Sequence, residues 1–405
     1  MHDTGHPGSP GRLTAQHPAA PYWHSDMIYW RLSGFYLFYF ASLGALLPYW
    51  GLYLESLDYS VTEIGQLVAI LLATKIVAPN IWGWIADHTG NRMLIIRIGS
   101  LLAAITFAGV FISDGFWSLA LVMTVFSFFW NASLPQFEAT TMNHLGDDLH
   151  RYSGIRLWGS IGFILAVSGL GTVLGITGTG ILPAVLMGLF VLIWLSSLAV
   201  PESAAGHLPL VQEPLRQVLG RRVVVSLLLV CFLVQASHGP YYAFFSIYME
   251  RFGYSTMLIG QLWALGVFAE IIIFLLVPML LPRFGARTLL LAAIVLTTLR
   301  WLLTALFPDR LGVMIFSQTL HAASFGLYHA VMIALIHSLF VGAHQGRGQA
   351  LYSSISFGAG GAVGALLSGY LWTDMGPRAM FLVAAVTSLA ALLVVHFGMR
   401  NIPET

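Results

Sequence analysis

Tyr59-Ser-Val-Thr-Glu-Ile-Gly-Gln-Leu67 returns 195 positions later as Tyr254-Ser-Thr-Met-Leu-Ile-Gly-Gln-Leu262, with six of the nine residues unchanged. Both copies open onto a long apolar stretch. The match continues on either side at the same offset: Tyr53 and Glu55 fall on Tyr248 and Glu250, and Gly90 and Arg92 on Gly285 and Arg287. Lys75, the only lysine, falls opposite Glu270. A duplication among membrane-length segments predicts two related lobes with a path between them.

Composition agrees with that reading. The chain of 405 residues is 58% hydrophobic and 9% charged, with a mean hydropathy of +0.81. Soluble domains carry about 25% charged residues, so an ordinary water-soluble globule is excluded. A helix needs about 20 apolar residues to cross a bilayer, and roughly twelve such stretches can be read from the sequence. The fold class predicted is an all-α membrane protein with twelve transmembrane helices in two pseudo-symmetric six-helix bundles.

The basic residues set the orientation. Eleven arginines fall on one side of the predicted membrane and three (Arg251, Arg310, Arg378) on the other, while Arg31, Lys75, Arg156 and Arg300 lie within spans. The positive-inside rule then places both termini in the cytoplasm of a cell whose inner membrane the chain crosses. Residues 1–27, rich in Gly, Pro and His, read as a disordered tail without a signal peptide. Residues 28–200 form the first bundle, 201–221 a polar cytoplasmic linker, 222–399 the second bundle and 400–405 a short tail. Cys231 stands alone, which excludes an internal disulfide and a thiolate metal cluster.

Between the second and third spans the chain reads Gly83-Trp-Ile-Ala-Asp87-His-Thr-Gly90-Asn-Arg92. Gly83 permits close helix contact and Gly90 a tight turn. Asp87 can face a helix N-terminus and pair with an arginine. The spacing resembles the G-x-x-x-D-x-x-G-x-R loop signature of the major facilitator superfamily, and that resemblance implies a cytoplasmic gate. The second copy keeps Gly285 and Arg287 but has Pro282 in place of the aspartate.

A charge at mid-bilayer costs about 2.5–3.5 kcal/mol on insertion scales, so the deep ionisable residues are candidates for function: Lys75, Glu138, Arg156, Glu270 and Arg300, with His238, His321 and His329. Glu138 and Arg156 stand at similar depth on adjacent helices either side of the turn near Gly146, and read as a pair. Pro135-Gln-Phe-Glu138-Ala139, followed by Arg156-Leu-Trp-Gly159, resembles the sugar-binding Glu/Arg pair of the lactose permease family. Tyr152-Ser-Gly-Ile-Arg156-Leu-Trp-Gly-Ser160, Tyr241-Tyr242, Ser246-Ile-Tyr248, Leu262-Trp263 and Ala269-Glu270 resemble the 3-phenylpropionate permease branch more closely. This likeness runs through nearly the whole chain from about residue 28.

The resemblance implies that Glu138 and Arg156 contact substrate, and that Lys75 offers a cation to a carboxylate. Trp158, Tyr241, Tyr242 and Trp263 would then wall the site and hold an aromatic ring. A fixed structural ion pair, and packing or interfacial roles for the rings, are the alternatives at each position.

Uphill uptake needs a coupling ion, and no sodium site is legible. Glu270, Arg300 and His321 fall near the midplane of one lobe. Arg300 and Thr319-Leu320-His321 match the lactose permease family, but Ser324 stands where that family carries its proton-bearing glutamate, and Gln318 where it carries a lysine. Glu270 is then the deep carboxylate left to carry the proton, with Arg300 and His321 assisting; a fixed Glu270–Arg300 pair is the alternative.

The expected protein is a secondary active transporter, and not an enzyme. It would couple proton entry to uptake of a small anionic aromatic acid such as 3-phenylpropionate, as a monomer in the lipid bilayer. It would need no cofactor and no metal, and would contact no nucleic acid. A sugar or nucleoside proton symporter is the rival within transport. A membrane enzyme or non-transporting assembly factor is the rival outside it, for which only the His144, Asp147, Asp148 and His150 turn offers a cluster. No phosphate loop or nucleophile elbow is present.

Overall fold

The structure is a computed structural model describing residues 22–146, 148–202, 215–341 and 344–400. Most of the expected N-terminal tail, the middle of the linker, and residues 401–405 lie outside the described residues. Within them every regular element is helical. In chain order these are α1 (Tyr22–Ser56), α2 (Val61–Thr89), α3 (Arg92–Ile112), α4 (Phe116–Leu145), α5 (Tyr152–Thr177) and α6 (Thr179–Leu198). After a short helix at Leu215–Gly220 comes α7 (Arg222–Arg251).

A helical run of 51 residues, Thr256–Leu306, follows. At about 1.5 Å per residue it would be about 77 Å long, more than twice the hydrocarbon core. It breaks at Gly285, whose φ of +73° and ψ of 153° are not helical. The run is therefore two crossings, α8 (256–284) and α9 (286–306). With α10 (Leu311–Leu339), α11 (His344–Met375) and α12 (Pro377–Gly398), twelve crossings are present among the described residues.

One boundary moves. Helix α1 starts at Tyr22, inside the segment expected as tail. Asp26 in this extension reaches Arg151 at 3.5 Å, tying it to the turn between α4 and α5.

The duplication is written in the backbone. Asp58 and Gly253, 195 apart, both have positive φ (63° and 83°). Gly90 and Gly285 repeat this at the other end of the same helices, at 68° and 73°. Ser60 caps α2 by accepting from the Glu63 N–H, and Ser255 caps α8 by accepting from the Leu258 N–H. Glu63 also completes a capping box on Ser60.

The lobes meet through α1 and α7, α2 and α11, and α5 and α8. Lipid already solvates apolar side chains, so membrane helices adhere by close packing of small residues. The repeated Ile-Gly-Gln-Leu supplies them. A methyl group on Gly65 would lie 3.0 Å from Cα of Gly369 and from the Ala365 carbonyl on α11. A methyl group on its repeat partner Gly260 would lie 2.6 Å from the Val167 carbonyl on α5, with Gly171 alongside. Polar links reinforce these crossings on the face opposite the chain termini. Arg251 pairs with Glu55 at 3.1 Å, Thr62 with Thr373 at 2.9 Å, and Gln66 donates to the Tyr370 hydroxyl at 3.0 Å. Toward the terminus face a further link between lobes is Asn80 to Ser354, at 3.1 Å.

Candidate transport site

The second lobe holds a polar network at middle depth, built around Arg300 on α9, which is 0% exposed. Its Nη1 donates to Nδ1 of His321 (2.9 Å) and to the Ser324 hydroxyl (2.9 Å), and its Nη2 to Oε1 of Gln318 (3.1 Å). The Tyr241 hydroxyl donates to the same Gln318 oxygen at 3.1 Å. The guanidinium lies over the rings of Tyr241 (4.2 Å) and Trp301 (4.7 Å). The two positions that depart from the lactose permease pattern, Gln318 and Ser324, thus both hold Arg300.

This geometry fixes a tautomer. Arginine keeps its protons, so Nδ1 of His321 accepts, the ring is neutral and Nε2 carries the hydrogen. Nε2 faces Oε2 of Glu270 at 3.5 Å. Helices α8 and α10 come this close because of two glycines. A methyl group on Gly266 would be 3.3 Å from Cβ of His321, and one on Gly326 would be 3.1 Å from Cγ of Glu270. Glu270, His321 and Arg300, expected together from the sequence, do come together. The expected direct approach of Arg300 to Glu270 is replaced by a relay through His321, because α10 inserts its imidazole between them.

In the first lobe Glu138 and Arg156 are both half-buried. They share an electrostatic neighbourhood but make no direct salt bridge, contrary to the expected pair. The Arg156 guanidinium sits instead on the Phe40 ring at 3.9 Å, with Tyr36 at 5.7 Å. The charge of Arg156 also acts across the lobe boundary on Glu270 and on His329. Lys75 lies on the face of α2 that carries Val68 and Leu71, one helical turn apart. That face borders a small cavity of about 10 Å³ with Leu46, Leu47, Trp50, Gly51 and Tyr242. Among the described residues Lys75 makes no ion pair or hydrogen bond. Its neighbour Thr74 donates to the Ser127 hydroxyl and accepts from Asn131, both at 2.9 Å.

The aromatic expectations need correction. Trp158 packs in the seam between α1 and α5, donating to the Tyr29 hydroxyl at 3.3 Å with its ring 5.5 Å from Trp30. Tyr241 and Trp263 are 1% and 3% exposed, with ring centroids 4.2 Å apart and planes tilted by 35°, and Trp263 donates to Ser246. They form the buried backing of Arg300 and leave no open wall. Tyr242 borders the small cavity named above.

The gate motif is also more local than expected. Asp87 pairs with Arg92 at 2.6 Å and stays 64% exposed, while Gly90 makes the turn. The N-terminus of α3 is met by Glu202, which accepts from the Met93 N–H at 2.8 Å. Sequence reasoning missed Glu202, since its partner lies 109 positions away and no local pattern links the two. In the last turn of α4, His144 contacts the Pro201 carbonyl at 3.1 Å, Asp147 in the turn that follows lies outside the described residues, and no group able to hold a metal is found among the described residues.

Known proteins share this arrangement of helices. The model of the MFS_1 like family matches residues 29–383. The chain is 28% identical over 380 residues to the "Probable 3-phenylpropionic acid transporter" of Escherichia coli (strain K12), covering 90% of this chain and 96% of the relative. It is also 28% identical over 372 residues to the "Maltose permease" of Geobacillus stearothermophilus, covering 89% and 92%. Among solved structures, the nucleoside transporter NupG superposes with a TM-score of 0.76 at 18% identity, over 92% of this chain and 99% of that one. A bacterial homolog of the human lysosomal transporter Spinster, inward-facing and occupied, superposes at 0.72 and 15% identity over 95% and 98%.

Proposed function

Because the chain belongs to the MFS_1 like family of major facilitator transporters, we propose that it is a proton-coupled symporter of a small aromatic carboxylate. One observation carries the proposal. At middle depth Lys75, Arg156 and Arg300 face only two carboxylates, Glu138 and Glu270, and His321 is neutral by its tautomer. That set has an excess of one positive charge. An unbalanced charge at this depth is costly; a proton on Glu270 raises the excess to two, and a monoanion between the lobes brings it back to one. Lys75, which is without a partner among the described residues, and Arg156, which spends its guanidinium on a ring face, are the two cations free to take a carboxylate. The E. coli relative, by its name, supports the same class.

Glu270 carries the proton in this reading. It is the carboxylate that sits against His321 with its side chain 15% exposed, and so can be reached while staying in the relay. The termini face the cytoplasm and the chain works as a monomer in the inner membrane, with the 201–221 segment as the tether between lobes. In the conformation described, the lobes are latched on the face away from the termini.

The test is uptake into liposomes containing only this protein, with a proton gradient imposed and labelled 3-phenylpropionate, maltose and uridine offered in turn. Accumulation of the acid alone, abolished by a protonophore, is expected. Accumulation of maltose or uridine without the acid overturns the proposal in favour of a sugar or nucleoside symporter.

A further inference from the structure

Helices α10 and α11 each carry one π-helical turn, at Ala322–Leu327 and Ser354–Gly360. Such turns are rare, and are often found at functional sites because the extra residue re-aims side chains. Here the α11 turn packs across the lobe boundary, and the α10 turn packs within its own lobe. The α10 turn packs on α8 beside Glu270, where Gly326 meets Cγ of that residue. The α11 turn packs on α2 beside Lys75: a methyl group on Gly358 would lie 2.8 Å from Cγ1 of Ile76 and 3.0 Å from its backbone nitrogen.

Between these two contacts stands a group of rings of which the sequence singled out only the histidines. Phe325 is stacked parallel between His321 (5.5 Å, 8°) and His329 (5.7 Å, 4°). Phe357, from the α11 turn, lies 6.2 Å from Phe325 and 6.1 Å from His329. Tyr352 holds the assembly from behind, with its hydroxyl 2.7 Å from Nδ1 of His329. Tyr352 is buried, whereas Phe325, His329 and Phe357 are half-buried. The charge of Arg156 reaches His329 from the opposite lobe.

We infer that Phe325, His329 and Phe357 form the subsite for the substrate's aromatic ring. This rests on the carboxylate reading above and deepens it. Lys75 and Arg156 take the carboxylate, and the three rings, placed by the two π turns, take the other end. Tyr241 and Trp263 cannot serve, since both are closed off in the Arg300 backing. The rings prefer an aromatic guest over a saturated one of the same outline, because offset and edge-on aromatic contacts add to simple burial.

The experiment compares 3-phenylpropionate with 3-cyclohexylpropionate, which keeps the carboxylate and the ring outline but has no π face. Half-saturation constants are measured in liposomes with the full chain, and binding is measured on purified protein by thermal shift. The wild-type protein should favour the phenyl acid about tenfold, equivalent to about 1.4 kcal/mol. Phe325→Leu and Phe357→Leu should each bring the ratio close to one, while Phe357→Tyr keeps it. A ratio of one in the wild type, or an unchanged ratio in both leucine variants, overturns the ring subsite. Wild-type protein that binds neither acid overturns the carboxylate reading itself, which separates the two failures. If a leucine variant reaches the membrane poorly, the thermal-shift ratio on the purified fraction decides between the same outcomes.

Discussion

The two glycines of the repeated Ile-Gly-Gln-Leu motif differ in how tightly they are held, and that difference sets a graded prediction. Ordinary van der Waals contact begins near 3.4 Å. A methyl group on Gly65 would fall short of it by about 0.4 Å, and one on Gly260 by about 0.8 Å against the Val167 carbonyl. These obstacles are backbone atoms and cannot rotate away, and at Gly260 the Tyr49 hydroxyl stands closer still. Overpacking of this kind costs about 1–3 kcal/mol, and the strain exists only while α5 and α8, or α2 and α11, are pressed together. Gly260→Ala should therefore disfavour the closed far face by about 2 kcal/mol, a shift of about thirtyfold, and Gly65→Ala by less. Alanine also raises helix propensity by about 0.8–1.0 kcal/mol over glycine, so without the seam both variants would be slightly stabilised.

Labelling of Leu47→Cys by a membrane-impermeant maleimide reports the opening, since Leu47 borders the small cavity behind the seam. The one native cysteine, Cys231, is 0% exposed and gives little background. Labelling should accelerate strongly in Gly260→Ala and weakly in Gly65→Ala. Equal rates in all three proteins, or a larger effect at Gly65, would refute the reasoning.

Other expectations follow from the same geometry. Glu270→Gln should abolish accumulation against a gradient while sparing exchange of substrate across the membrane; continued concentration of substrate by this variant would remove Glu270 as the proton carrier. One proton and one monoanion together add no net charge, so uptake should respond to a pH gradient and not to an imposed potassium-diffusion potential, as a flux assay with valinomycin will show. Arg300→Lys should lower the melting temperature sharply, because one ammonium cannot match the fork that serves His321, Ser324 and Gln318. Breaking a buried charge network costs about 3–5 kcal/mol, and a change below about 1 kcal/mol would mean that the network is slack. Arg251→Gln should cost less. Its partner Glu55 is one-third exposed and Arg251 itself half-exposed, so about 0.2–1 kcal/mol is at stake, visible as a small rise in the same maleimide labelling rate.

The architecture was legible because its signals are local and repeated. Apolar length marks the spans, and a nine-residue repeat marks the lobes, down to matched caps at Ser60 and Ser255. The proton relay was half legible. Depth along neighbouring helices brings Glu270, Arg300 and His321 to one level, but rotation about the helix axes decides which of them touch, and sequence spacing carries that poorly. Hence His321 stands between Glu270 and Arg300, whose direct pairing was the alternative reading, and Arg156 lies on Phe40 instead of Glu138. The aromatic wall was misread for a related reason. A tryptophan at the right depth can face a seam, as Trp158 does, or the core, as Trp263 does. The π turns left no trace at all, since one added residue in a turn changes neither hydropathy nor composition.

Glu55 and Glu250 are copies of one ancestral position, and Glu250 feels the charge of Glu55. Gene duplication around a twofold axis makes this unavoidable: whatever stands near the axis meets its own twin, and an acid must then repel itself. The chain resolves this by breaking its own symmetry one residue later. Ser56 remains a serine in one half, while its counterpart in the other is Arg251, which bridges to Glu55 and rests on the Trp372 ring at 4.7 Å. A perfectly symmetric ancestor would have been forced apart at that end. One position that differs between the halves, Ser56 against Arg251, is enough to turn the repulsion of twins into a clasp.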